Sequence, residues 1–277
     1  MNTDQKSIWT RRAVLRRLSA ASCAGLYGLG AHPAAAEPPP ETGTMIVNDA
    51  PVLCVAPQHL AEAFLRMEGF TDIQYPGYKG AISEIQALGE GALDITAGLV
   101  TDFIAGIDAG APVVVLAGLH AGCLETFAND RVPSLRDLAG KKVAITGPGD
   151  HMHVFLSSVA AYIGLDPARD IEWVVERNFR DWPRLLEDGQ VDVVAAFPPQ
   201  TYAIREMGFA HVILDNTTDD PWRHYFCCMV TARRRHVRQY PVATKRALRA
   251  FVKAIQFCSI EPERAAPLLV ERGITSR

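Results

Sequence analysis

An eleven-residue stretch of this chain is written twice, 98 residues apart, and it limits the possible folds more tightly than any other feature of the sequence. Leu88-Gly-Glu-Gly-Ala-Leu-Asp-Ile-Thr-Ala-Gly98 returns as Leu186-Glu-Asp-Gly-Gln-Val-Asp-Val-Val-Ala-Ala196, with Gly91 over Gly189 and Asp94 over Asp192. The register holds on both sides. Upstream, Thr44-Met-Ile-Val47 matches Lys142-Val-Ala-Ile145 and Asp72-Ile73 matches Asp170-Ile171; downstream, Gly110 and Val113-Val-Val-Leu116 match Gly208 and His211-Val-Ile-Leu214. In each copy, helix-spaced apolar residues run into a glycine that can take the left-handed conformation ending a helix. A run of four to six apolar, partly β-branched residues follows, as in a parallel strand buried on both faces. A turn and a second helix come next, Thr101 to Ala109 and Gln200 to Met207. The reading is an α/β protein of two similar lobes, each a mostly parallel sheet flanked by helices, with a ligand cleft between them. Ligands of such sheets bind beyond the carboxyl ends of the strands.

The first 36 residues read as an export signal. Thr10-Arg-Arg-Ala-Val-Leu-Arg16 is a twin-arginine pattern, a mildly apolar stretch runs from Leu18 to Ala31, and Ala34-Ala-Ala36 offers a small-residue cleavage site. The stretch falls short of the roughly 20 apolar residues that span a membrane. Lipid attachment at Cys23 is the alternative to simple cleavage, although Ala20 stands where such sites carry Leu. A periplasmic location is expected. Cleavage would remove Lys6, Arg11, Arg12, Arg16, Arg17 and Asp4, leaving 28 − 5 = 23 basic and 31 − 1 = 30 acidic residues and a net charge of −7. That balance argues against nucleic acid as a partner, because such affinity comes from basic patches that neutralise phosphates. The mature length supports two lobes with their own cores.

Five cysteines remain beyond the leader, Cys54, Cys123, Cys227, Cys228 and Cys258. An odd number leaves at least one unpaired in an exported protein. Both buried free thiols and a Cys54–Cys123 disulfide are compatible with the spacing. No pair has zinc-site spacing, so neither a metal nor a cofactor is expected.

Between the two copies lies Ser134-Leu-Arg-Asp137-Leu-Ala-Gly140, which reads as a capping box opening a one-turn helix, followed by the apolar start of the second sheet. Together with the Gly-x-(Leu/Val)-Asp-(Ile/Val) repeat and Gly149-Asp-His-Met-His153 ahead of an apolar helix, this stretch resembles the solute-binding proteins of nitrate, sulfonate, taurine and related ABC importers. These have the type II periplasmic-binding-protein fold, and the thiamine-pyrimidine-like proteins belong with them. The resemblance runs from about residue 44 to the end. It implies a non-catalytic, monomeric receptor that closes two lobes on a small-molecule solute and passes it to an ABC permease and ATPase. It also implies lobe 1 at 44–133 plus 230–277 and lobe 2 at 134–229. Family members continue further beyond Pro262 to Glu271, so a C-terminal truncation is expected. An enzyme on the same fold, related to thiamine-pyrimidine synthases, is the alternative, with Tyr225-Phe-Cys-Cys228 and His153 as a thin echo of that chemistry.

Strand ends and the helix starts after them supply the candidate ligand-binding residues: Asp49, Leu53, Cys54, Gly98, Thr101, His120, Gly149, Asp150, His151, His153, Phe197, Gln200 and Tyr202. His153 matches the helix-start histidine that the resemblance implies. Asp49 and Asp150 are equally readable as turn or N-cap residues, and Phe197 as core. An ionised Asp150 at a helix N-terminus outweighs the dipole's half positive charge, and no Arg or Lys appears in these loops. An anionic sulfonate is therefore disfavoured. Phe197, Tyr202, Trp222, Tyr225 and Phe226 favour a flat or partly apolar solute with a nitrogen or hydroxyl to meet the carboxylates.

Overall fold

The computed structural model describes residues 37–50, 52–76 and 83–275. The leader expected over 1–36, with Cys23, lies outside the described residues. Among the described residues ten strands form two sheets, the first assembled from a two-stranded pair and a three-stranded sheet that a single bridge joins, and each is built around the duplicated segments. In the first half, β1 (Thr44–Ile46) pairs in parallel with β2 (Asp72–Gln74), and a bridge from Val47 to Ile95 joins β1 to β3 (Ile95–Leu99). A strand from the far end of the chain, β10 (Phe226–Arg233), lies antiparallel between β3 and β4 (Val113–Ala121). In the second half, β6 (Lys141–Ile145) is flanked by β7 (Ile171–Val175) and β8 (Val193–Ala196), all parallel. Here β5 (Glu125–Ala128) lies antiparallel between β8 and β9 (His211–Asp215). The orders 2-1-3-10-4 and 7-6-8-5-9 are therefore one order used twice. In each, the fourth position is filled by a strand from the other half.

This exchange shifts the expected boundaries. Residues 125–128, assigned by sequence to the first lobe, hydrogen-bond in the second sheet, and 226–229, assigned to the second lobe, hydrogen-bond in the first. The chain changes sheet once between Ala121 and Glu125 and again between Asp215 and Phe226. The two crossings touch. Leu124 N–H donates to Asn216 Oδ1 (2.7 Å), and Asn216 N–H donates back to Leu124 O (3.1 Å). Gly122 has a φ of 75°, and a β-carbon there would press on Thr217, so only glycine fits the contact.

The repeated Gly-x-x-Asp explains itself in the packing. Gly91 (φ 85°) and Gly189 (φ 70°) end their helices in the left-handed region, and an arginine lies across each: Arg233, the last residue of β10, over Gly91, and Arg131, three residues beyond β5, over Gly189. Those same arginines pair with the repeat carboxylates, Arg233 with Asp94 (2.7 Å) and Arg131 with Asp192 (2.6 Å). Each carboxylate also accepts a backbone N–H from the neighbouring strand, Ile46 to Asp94 (3.1 Å) and Lys142 to Asp192 (2.9 Å). Satisfied in this way, a buried charge is tolerated beside the core.

Helices pack outside the sheets: α1 (Ala56–Met67), α2 (Glu84–Glu90), α3 (Val100–Asp108), α4 (His151–Tyr162), α5 (Trp182–Glu187), α6 (Gln200–Met207), α7 (Arg234–Gln239), α8 (Pro241–Ile260) and α9 (Pro262–Glu271). On α8 the buried residues Ala243, Ala247, Ala250, Phe251 and Ala254 recur at helical spacing and form one stripe, which lies against α1. Glu68, just beyond α1, is buried but held by Lys253 (2.7 Å) and Arg249 (3.3 Å) of α8. The expected capping box at Ser134 takes a variant form. Its hydroxyl donates to the Asp137 side chain (2.7 Å) and caps no backbone N–H, and Leu135–Asp137 is a 3₁₀ turn, too short for a full α-helical cap. No described helix is long and apolar enough to cross a membrane.

Candidate functional site

A cavity of about 270 Å³ opens at the carboxyl ends of β3, β6 and β8, between the two sheets. The first sheet's side contributes Ala50, Val52, Cys54, Val55, Glu84, Gly98, Leu99, Asp102 and Cys228; the second contributes Thr146, His151, Met152, Phe179, Trp182, Ala195, Phe197 and Gln200. Among the candidates read from sequence, Cys54, Gly98, His151, Phe197 and Gln200 meet here.

The first wall carries the charge. Glu84 opens α2 after the Ser83 cap, and Asp102 stands in the first turn of α3. Burial pushes Glu84 up to about 7, repulsion from Asp102 adds to the rise, and a hydrogen bond donated by Asn48 Nδ2 (2.5 Å) opposes it. Asp102 is also raised, first by burial, with His151 opposing and Asp150 reinforcing. Gly98 leaves room for this arrangement, since a β-carbon there would collide with the Glu84 carboxylate and the Phe103 ring. Asn48 is fixed in turn, its carbonyl accepting from Gln58 Nε2 (3.0 Å) while Gln58 Oε1 accepts from Ala97 N–H (2.5 Å). Among the described residues, no Lys or Arg lines the cavity.

The opposite wall is aromatic. Phe197 lies between Phe179 (6.3 Å between ring centroids) and His151 (6.5 Å), both tilted. Trp182 closes the floor, 1% exposed, its indole N–H donating to Glu176 O (3.0 Å). A flat solute between such walls would stack on one side and hydrogen-bond on the other.

The remaining candidates lie off the cavity. Asp150 is an N-cap whose lone pairs are spent inside the protein: Oδ1 accepts from His153 N–H (2.6 Å), and Oδ2 accepts from Thr146 N–H (2.6 Å), Gly147 N–H (2.8 Å) and the Thr146 hydroxyl. Burial works against its charge, yet the bonds from His153, Thr146 and Gly147 outweigh it and lower its pKa. The carboxylates that line the cavity are Glu84 and Asp102, which sequence reasoning missed. His153 turns away, accepting at Nδ1 from Gly149 N–H (2.9 Å) and meeting Trp173 edge-on at 4.7 Å. Gly149 itself serves the turn with a φ of 83°. His120 Nε2 sits 2.9 Å from Cys54 O and holds that turn against β4. Asp49, half exposed, lies 4.0 Å from His59 Nδ1. Leu53 packs with Leu60, Ala265 and Leu269, Thr101 stays in the first turn of α3 outside the lining, and Tyr202 is 60% exposed. Among the described residues, no group of three or more His, Cys, Asp or Glu side chains is arranged to hold a metal ion.

Residues 64–265 match the model of the NMT1/THI5-like family, and the chain belongs to that family. Its fold is that of solved periplasmic binding proteins. The aliphatic sulphonate-binding protein SsuA of Escherichia coli superposes with a TM-score of 0.66 at 18% identity, over 83% of this chain and 74% of that one. The nitrate-binding protein NrtA of Synechocystis PCC 6803 gives 0.67 at 18% identity, over 85% and 68%. The Candida albicans CA3427 product, with the generic periplasmic-binding-protein fold, gives 0.64 at 16% identity, over 82% and 76%. No curated protein matches the chain in sequence.

Proposed function

We propose that this protein is the exported solute receptor of an ABC importer, closing two lobes on a small nitrogen-bearing molecule and delivering it to a membrane permease driven by its ATPase. The lobes are the two sheets with their helices, and the touching crossings at 122–124 and 216–225 form the hinge. One observation carries the ligand class: Glu84 and Asp102 face the cavity, and among the described residues no Lys or Arg lines it. A sulfonate or nitrate, as bound by the proteins of similar fold, would meet two carboxyls and no Lys or Arg among the described lining residues. A protonated amine or an N–H-rich heterocycle would instead donate to both carboxyls and stack on Phe197.

The alternative of an enzyme related to thiamine-pyrimidine synthases drew on His153 and on Cys227-Cys228. The packing of His153 against Trp173 removes one of its two supports.

A thermal-shift panel of amines, N-heterocycles, amides and sulfonates, followed by small-angle scattering on any hit, tests the proposal. A nitrogen-bearing hit should raise the melting temperature by mass action and compact the particle. A panel in which only sulfonates bind overturns the ligand class, and a binder that leaves the particle unchanged overturns hinge closure.

A further inference from the structure

Four of the five cysteines beyond the leader converge at the point where the chain crosses between sheets. Cys54 precedes α1, Cys123 follows Gly122 in the first crossing, and Cys227 and Cys228 open β10 just after the second. The Sγ atoms of Cys54 and Cys123 are 3.2 Å apart, and those of Cys123 and Cys227 are 3.3 Å apart. All are free thiols. The contact distances leave little side-chain rotation before Cys54 and Cys123 reach the sulfur–sulfur bond length of about 2.0 Å. Access singles out one of the four. Cys54 lines the cavity and is partly exposed, whereas Cys228, which also lines it, and Cys227 are buried at 0% and 5% exposure and Cys123 lies outside the lining, so a reagent entering the cavity meets Cys54 first.

We propose that Cys54 and Cys123 form a reversible disulfide, made by a small cationic disulfide compound that enters through the acidic cavity. The Cys54 thiolate attacks one sulfur of the compound and expels the other half as a thiolate. The Cys123 thiol, giving up its proton to the departing thiolate, then attacks the Cys54 sulfur of the mixed disulfide and expels the second half. One disulfide bond of the compound is broken and one of the protein is formed; the two thiol protons leave on the two released thiols. Hydrogen bonds donated by the Cys123 and Cys228 thiols lower the pKa of Cys54, with burial opposing and His120 assisting, and so favour the attacking thiolate. Cys123 holds a φ of 98°, a conformation few residues other than glycine adopt, and a bond to Cys54 would tie that strained crossing to the cavity wall.

The test treats the full chain with cystamine, a small dication, or with dithiodipropionate, its anionic counterpart. Each rate is normalised to the same reagent's reaction with a free small thiol. Cleavage after glutamate separates Cys54, between Glu41 and Glu62, from Cys123, between Glu90 and Glu125, so mass spectrometry identifies the cross-link without ambiguity. The expected result is a Cys54–Cys123 cross-linked peptide that a thiol reductant reverses, forming about tenfold faster with cystamine at low salt. In Cys123→Ser, Cys54 should instead retain one half of the reagent. Free Cys54 and Cys123 after treatment, or a Cys123–Cys227 link in place of Cys54–Cys123, overturns the pairing. Equal normalised rates for the two reagents overturn entry through the cavity. Cys227→Ala, which leaves the proposed pair intact, should still cross-link, and it keeps the test decisive if Cys123→Ser does not fold.

Discussion

Glu84 and Trp182 stand 98 residues apart (182 − 84 = 98), each opens a short helix, and both face the same cavity from opposite sides. Three further pairs at that separation also line the cavity: Cys54 with Met152, Leu99 with Phe197, and Asp102 with Gln200. Duplication placed these positions, and divergence gave them different chemistry. The first half supplies two carboxyls and a thiol, while the second supplies a thioether, aromatic rings and an amide. A solute held here as proposed would be oriented, polar end to one wall and flat face to the other.

If Glu84 accepts a hydrogen bond from the solute, Glu84→Gln should weaken an amine ligand roughly tenfold and a matched uncharged analogue far less. Calorimetry with such a pair measures the difference. Equal losses for both ligands would mean that the carboxylate's charge plays no part.

Glu84 also makes the unliganded fold sensitive to pH. Its folded pKa of about 7 lies above the ordinary 4.5, so the folded state holds its proton more tightly than the unfolded chain. The associated stability is fully present below about pH 4.5 and is lost as pH rises through about 7. Its size is at most about 3 kcal/mol, from 1.36 kcal/mol per pKa unit. Denaturation series across that window should show the decline, and Glu84→Gln should flatten it.

Asp150 should behave as a cap. Asp150→Ala leaves the N–H groups of His153, Thr146 and Gly147 without their acceptor and should cost about 1–2 kcal/mol. Asp150→Ser, which keeps a capping oxygen, should cost less. Neither should reverse the preference for amine over sulfonate, and urea denaturation with parallel binding measurements checks both statements.

Asp94→Ala strands Arg233 and the Ile46 N–H beside the core and should destabilise by about 3 kcal/mol. Asp192→Ala, which strands the more exposed Arg131, should cost less. Comparing the two midpoints in one denaturant series decides the order.

Changing Arg11 and Arg12 together to Lys should leave the precursor in the cytoplasm if the leader uses the twin-arginine route. Cell fractionation reads the outcome, and an undiminished periplasmic yield would refute that route.

Much of the fold was legible because a strict 98-residue register repeats both the apolar runs and the glycines that end helices. The exchange of β5 and β10 was not, since neither belongs to the repeat and each pairs with residues distant in sequence. Within the site, Gly98, His151 and Phe197 were visible as strand-end or helix-start residues. Glu84 escaped because it opens a helix that precedes its strand, a place the strand-end rule does not search. Applying the repeat itself would have linked it to Trp182. The sequence around Asp150 displays its charge, and only the three-dimensional arrangement shows four donors already taking up its oxygens.

The exchanged strands also bear on how the molecule comes apart. Withdrawing β10 opens the first sheet between β3 and β4, and withdrawing β5 opens the second between β8 and β9, so neither half retains a closed hydrogen-bond ladder alone. Two lobes that look separable should then melt in a single calorimetric transition. A chain cut in the surface turn near Asp130 should yield fragments that recover native structure only when mixed.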